Sequence, residues 1–220
     1  MKVNIVEEIL SANDQIAADN RRAFDEKGIF AINLMASPGA GKTSLILRTI
    51  EALQGKLRLG VIEGDIASRV DADKVAATGV PVVQINTGGT CHLDAPMIRQ
   101  ALAGLPLDDI DLLFVENVGN LICPTGFRLG EHAQVMIASI PEGDDKPYKY
   151  PAMFTQVDAL VINKTDLLPY LDFDLRAFGQ VVMGLNADVR IFQVSCKTGE
   201  GVEEWAEWLL ELCSDHNRQF

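Results

Sequence analysis

Apolar positions recur first at helical spacing and then in short runs. Val6, Ile9, Leu10, Ile16, Ala17 and Phe24 share one helical face, which predicts an amphipathic helix over 2–26, ended by Asp25, Lys27 and Gly28. From there, apolar runs predict strands over 30–35, 57–62, 81–85, 112–115, 135–140, 159–162 and 191–194. Between and after them, helical patterns cover 44–53, 68–78, 95–103, 172–185 and 202–213. Strands alternating with helices predict an α/β fold, a mostly parallel sheet sandwiched by helices, with residues 1–28 as an N-terminal helical extension. No repeat, low-complexity tract or linker interrupts the pattern, so 1–220 is expected to form a single domain. Ligands of such sheets sit at the carboxyl ends of the strands. The glycine-rich and polar segments of this chain fall at those ends.

Composition narrows the setting. A net charge of −12 disfavours nucleic acid and anionic membrane surfaces as partners, since both reward clustered Lys and Arg. No apolar run is long enough to span a bilayer, and Glu7, Glu8 and Asp14 interrupt any apolar leader. A cytoplasmic location is therefore expected. There, Cys91, Cys123, Cys196 and Cys213 stay free thiols, either small buried residues or metal ligands.

The strand at 30–35 runs into Ala36-Ser37-Pro38-Gly39-Ala40-Gly41-Lys42-Thr43 and then a helix. This is the phosphate-binding P-loop pattern, with Ala36 in place of its first glycine. Gly39, Ala40 and Gly41 bring backbone N–H groups up to a phosphate, together with Ser44 at the helix start. Lys42 sets a cation against the β- and γ-phosphates, and Thr43 offers a hydroxyl to Mg2+. Asn163-Lys164-Thr165-Asp166, at the end of a later strand, is an N-K-x-D guanine motif. The Asp166 carboxylate can accept from both N1–H and the N2 amine of guanine, a donor pair that adenine lacks. Asn163 supports the loop, and the Lys164 stem covers the ring. Ser195-Cys196-Lys197 resembles the S-A-K loop that backs guanine. These motifs predict GTP/GDP as the ligand.

Asp65 and Glu116 both stand at strand ends near the phosphates and are hard oxygen ligands suited to Mg2+; Asp71 is a weaker choice. Lys42 and Asp65 are the catalytic candidates, Asp65 by orienting the attacking water. Glu116-Asn117-Val118-Gly119 resembles D-x-x-G, and no glutamine follows to position water, so hydrolysis is expected to be slow. Cys91 and His92, after the third strand, and Cys123, after the fourth, leave the same sheet edge. Two thiolates and an imidazole suit Ni2+ or Zn2+. Three ligands underfill a four-coordinate site, so water, a target or a second copy of the chain would complete it. The alternative is a buried Cys123 with His92 capping the next helix.

In this order ASPGAGKT, EGD, TGGTCH, ENVGN with a following cysteine, and NKTD resemble the HypB family of hydrogenase nickel-incorporation GTPases, over the chain from about residue 30. The resemblance implies a SIMIBI-class P-loop fold and a homodimer in the GTP-bound state. It implies nickel delivery to the large subunit of [NiFe] hydrogenase with a HypA-like metallochaperone. Lys42, Thr43, Asp65, Glu116, Asn163 and Asp166 match its nucleotide or Mg2+ positions, and Cys91, His92 and Cys123 its metal ligands at the dimer interface. Residues 145–151 resemble a loop whose lysine, Lys149 before Lys146, reaches the partner's nucleotide. The cysteine-rich or histidine-rich N-terminal segments of some members have no counterpart here, which argues against a second nickel store. Related urease and cobalamin-enzyme GTPases are the alternative. The urease protein carries Cys-Pro-His, whereas Cys91 and His92 are adjacent.

Overall fold

The computed structural model describes residues 5–218, with the side chains of 5–8 left aside. Residues 2–4 of the predicted first helix, and the Val6 side chain, lie outside this description. Seven parallel strands form one sheet, in the order β3-β2-β4-β1-β5-β6-β7. They are β1 (Phe30–Ala36), β2 (Leu59–Asp65), β3 (Val82–Asn86), β4 (Leu112–Glu116), β5 (Ala133–Ser139), β6 (Ala159–Asn163) and β7 (Arg190–Gln193). The helices are α1 (Ile5–Lys27), α2 (Lys42–Leu53), α3 (Val70–Ala76), α4 (Ala95–Leu102), α5 (Lys146–Lys149), α6 (Pro151–Thr155), α7 (Leu175–Leu185) and α8 (Val202–Asn217). The predicted architecture is thus the observed one.

The alternation of β1 shows why a parallel sheet is buried on both faces. Phe30, Ile32, Leu34 and Ala36 pack in one core with Leu45, Ile46 and Leu53 of α2 and Trp205 and Leu209 of α8. On the opposite face Ala31 joins Phe24 of α1 and Ile98 and Leu102 of α4. Further along that face, Met35 joins Met153 and Phe154 of α6 and Phe178 of α7. Inside the first core, the Trp205 indole N–H donates to Thr49 Oγ1 at 2.9 Å, so the largest buried side chain also has its polar atom satisfied.

Three local details differ from expectation. The second strand runs on to Asp65 and the next helix begins at Val70, not 68, because Asp65 Oδ1 accepts from the N–H groups of Ala67 and Ser68 at 2.9 and 2.6 Å and folds them into a turn. The fifth strand ends at Ser139: its N–H and hydroxyl both meet Glu142 Oε2, at 2.9 and 2.8 Å, in a capping box that starts a 3-10 turn at Ile140. Residues 145–151 are not an irregular loop but helical turns. Pro147 and Pro151 each occupy a first-turn position, where a missing N–H costs nothing.

Candidate nucleotide and metal sites

Because all strands run parallel, the P-loop, Glu63–Asp65, the Cys91 loop, Glu116 and Asn163 emerge at one edge. The P-loop feeds directly into α2, whose first residue is Lys42. Gly41 there has φ 106°, and a Cβ would strike the Asn163 amide, so glycine is required on two counts. Asn163 binds the two halves of the site together. Its Nδ2 donates to Ala40 O at 3.0 Å, while Oδ1 accepts from the N–H groups of Lys164 and Cys196 at 2.7 and 3.2 Å.

Lys164 is the one non-glycine residue with positive φ (63°) among the described residues. That left-handed turn aims its ammonium at Gly39 O, 2.6 Å away. Ser195 Oγ donates to Asp166 Oδ1 at 2.7 Å and holds the carboxylate in place. Gly41, Ser44, Asn163, Lys164, Asp166, Leu167, Cys196 and Lys197 line a recess of about 370 Å³. Of the residues predicted for the base, Asn163, Lys164, Asp166, Cys196 and Lys197 share this concavity, while Ser195 is buried behind Asp166. Burial pushes the Cys196 thiol up to about 11, so it stays protonated and inert in that wall. Lys149 does not line the recess; it is exposed and paired with Asp145 on its own turn.

At the phosphate end, Thr43 Oγ1 donates to Glu116 Oε1 at 3.1 Å and Lys42 Nζ lies 3.8 Å from the same oxygen. The carboxylates gathered around Glu116 are Glu63 and Asp71, each with an oxygen within 4.8 Å of the others. Asp65 is not in this group; its Oδ1 serves the 66–68 turn. Glu63 is the residue that motif reading passed over, and its only sequence signal is a charge inside an otherwise apolar strand, Leu-Gly-Val-Ile-Glu-Gly-Asp. Burial and the adjacent Glu116 carboxylate push Glu63 up to about 10. Burial, partly opposed by Lys42, also raises Glu116. Glu63 Oε2 and Glu116 Oε2 are buried and receive no donor from the protein. A divalent cation with oxygen preference fits such a donor set.

Cys91, His92 and Cys123 converge, with one ligand atom from each inside a 4.8 Å cluster. Cys91 Sγ is 3.8 Å from His92 Nδ1. The neighbouring Cys123 thiol, then burial, raise the Cys91 pKa, while burial lowers that of His92. The His92 ring stacks on Phe127, centroids 4.0 Å apart. Helix capping does not explain His92: Asp94 caps α4, accepting from Met97 N at 2.9 Å. Nor is Cys123 a deeply buried filler; it is half-buried, as are its two neighbours in the cluster.

Seven parallel strands between helical layers, with a P-loop entering α2 and a base recess at Asn163–Asp166, define a P-loop nucleotide-binding protein of the SIMIBI class. The family model described as "CobW/HypB/UreG, nucleotide-binding domain" matches residues 30–193. The hydrogenase maturation factor HypB of Azotobacter vinelandii is 52% identical over 209 residues, covering 94% of this chain and 68% of that protein. The crystal structure of HypB from Archaeoglobus fulgidus superposes with a TM-score of 0.87 at 40% identity, covering 92% of this chain and 99% of that one. The structure of Helicobacter pylori HypB in complex with nickel gives 0.89 at 36% identity, over 93% and 96%. The chain belongs to the HypB family of hydrogenase maturation factors.

Proposed function

We propose that this chain is a GTP-dependent metal-delivery protein that supplies Ni2+ during [NiFe] hydrogenase maturation. The observation that carries the proposal is the convergence of Cys91, His92 and Cys123 on the sheet edge that also bears the P-loop. Two thiols and an imidazole suit Ni2+ or Zn2+, and a nickel complex of a relative at 36% identity supports nickel as cargo.

In this reading Asp166 selects guanine, Asn163 and Lys164 hold the base loop against the P-loop, and Ser195–Lys197 back the ring. Gly39–Gly41 and the start of α2 wrap the phosphates, and Lys42 neutralises them. Thr43 and Glu116 hold Mg2+, with Glu63 and Asp71 beside them and Asp65 as the candidate for orienting water. Held there, Mg2+ would supply charge neutralisation to the phosphates. Hydrolysis is slow: the side chain after Gly119 is Asn120, already engaged with Cys91 O and the N–H groups of Ile122 and Cys123. A GTP-bound homodimer completes the three-ligand metal set by symmetry. A HypA-like metallochaperone and the hydrogenase large subunit are the onward partners.

The test is metal content and sedimentation of the purified chain without nucleotide, with GDP, and with a non-hydrolysable GTP analogue. Tight Ni2+ or Zn2+ binding and an analogue-dependent dimer are expected. Replacing Cys91, His92 and Cys123 with Ala should abolish metal binding and spare GTP affinity. Unchanged metal stoichiometry in that variant would falsify the site.

A further inference from the structure

Three buried or half-buried asparagines, Asn33, Asn117 and Asn120, join the two sites. Asn33 interrupts the apolar run of β1 and is fully buried. Asn117, also fully buried, lies directly after Glu116. Asn117 Oδ1 accepts from Leu93 N at 3.0 Å and from Val118 N at 2.9 Å, while Nδ2 donates to Asn33 Oδ1 at 3.2 Å. Its own N–H donates to Leu34 O at 2.9 Å. One side chain thus ties β1, the segment just after Cys91-His92, and the segment leaving Glu116. Asn120 makes the second tie. Its Oδ1 accepts from Ile122 N and Cys123 N at 2.8 and 3.3 Å, and its Nδ2 reaches Cys91 O at 3.4 Å. Asn117 and Asn120 therefore each touch both ligand-bearing loops.

The strip between them rests on the P-loop. A Cβ on Gly119 would lie 2.9 Å from Pro38 Cγ and 3.0 Å from Pro38 Cα and N. Residues 117–120 are thus packed directly against the P-loop backbone, so a change in either segment bears on the other. From that strip, side-chain hydrogen bonds lead to Cys91 O, Leu93 N and Cys123 N.

We propose that Asn117 and Asn120 are positioning residues that transmit nucleotide occupancy at Pro38 and Glu116 to the geometry, and hence the affinity, of the Cys91–His92–Cys123 metal site. The proposal rests on those three residues being the metal ligands. It predicts coupling in both directions: if the nucleotide changes metal affinity by some factor, metal changes nucleotide affinity by the same factor.

The experiment uses the full chain and Ni2+ as the probe, with affinity read by competition against a chromophoric chelator. Measurements are made without nucleotide, with Mg2+ and GDP, and with Mg2+ and a non-hydrolysable GTP analogue. The native protein should show an analogue-to-GDP difference of about fivefold or more, the usual lower bound for allosteric coupling. Asn120→Ala, at a half-buried position, should still bind analogue normally and still bind Ni2+, with that ratio collapsed to roughly one. Asn120→Asp keeps the acceptor for Ile122 and Cys123 but cannot donate to Cys91 O; it should collapse the ratio too and serves if the alanine variant folds poorly. Asn117→Ala should act alike, with some loss of thermal stability. A ratio retained in both Asn120 variants, or absent in the native protein, overturns the proposal and leaves the metal site standing. Ni2+ binding that survives Cys91→Ser removes the metal-site reading, and the proposal with it.

Discussion

If the recess takes guanine, Asp166 carries more discrimination than any other single side chain lining it. Ser195 Oγ fixes one of its oxygens at 2.7 Å, so the carboxylate meets the base in one orientation and loses little freedom on binding. Asp166→Asn replaces an acceptor by a donor facing guanine N1–H or N2–H. An unsatisfied pair of this kind costs about 1–3 kcal/mol, so GTP affinity should fall by roughly 10- to 100-fold while XTP binding improves. Isothermal titration with both nucleotides checks it, and an unchanged preference for GTP would reassign the base site. Gly41→Ala should be harsher. The new methyl meets the Asn163 amide at a φ of 106°, and both nucleotide binding and thermal stability should drop. Asn163, Asp166 and Lys42 were legible in the sequence because each lies inside a short local motif whose chemistry is its spacing. Glu63, Asn33 and Asn120 were not. Their roles depend on neighbours 29 to 84 positions away in sequence, or on the next strand of the sheet, and spacing is silent about such neighbours.

Among the elements, α1 is part of the fold rather than an appendage to it. Asn13 Nδ2 donates to Arg128 O at 2.8 Å, and Asn20 Nδ2 reaches Ala95 O and Leu129 O at 3.0 and 2.9 Å. At its end Asp25 Oδ1 lies 2.8 Å from His132 Nε2, while Ala31 N donates to His132 Nδ1 at 2.9 Å. His216 of α8 packs edge-on against the His132 ring, centroids 4.4 Å apart. These groups have the composition of a metal site, but the Ala31 N–H fixes the tautomer. Nδ1 accepts, so Nε2 keeps its proton and presents it to Asp25. The cluster is a joint, with an uncharged His132 at its centre, between α1, α8 and the base of the sheet. Burial, partly opposed by Asp25, lowers His132 to about 4, against about 6.5 in an unfolded chain. The unfolded state therefore binds the proton more tightly. The stability contributed by neutral His132 is complete above about pH 6.5 and is lost as pH falls toward 4. Tm should fall over that interval, and His132→Gln, which cannot titrate there, should flatten the dependence even if it lowers Tm at neutral pH. The helical period announced α1 from sequence, but the joint did not show, since it pairs Asp25 with residues over a hundred positions away.

For the whole molecule, the question is what would complete the three-ligand metal set proposed at Cys91, His92 and Cys123. Its surroundings suit a second copy of the same chain. Ile66, Val70 and Ile122 are exposed apolar side chains on the loops and helix start that leave the site-bearing edge. Each chain carries −12, so cations at the contact would ease the repulsion between two copies. Lys149 is such a cation. It stands on α5, more than half exposed, and pairs with Asp145 one helical turn back. A pairing at the surface is worth little and is readily exchanged for a polyphosphate. Lys146, on the same turn, instead lies over the Tyr150 ring at 5.6 Å, which makes it the less available of the two. If Lys149 reaches the nucleotide of the partner, Lys149→Ala should weaken dimerisation driven by a GTP analogue by roughly tenfold or more and leave GDP binding to the monomer unchanged, since the residue does not line the recess of its own chain. Lys146→Ala should change neither. Sedimentation velocity across a concentration series, at low and physiological salt, separates these outcomes, because a lysine–phosphate contact exposed at a rim weakens with ionic strength. A dimer of native strength in Lys149→Ala would leave the apolar edge alone to hold the two copies, and the nucleotide would then have to act through the shape of that edge rather than through charge.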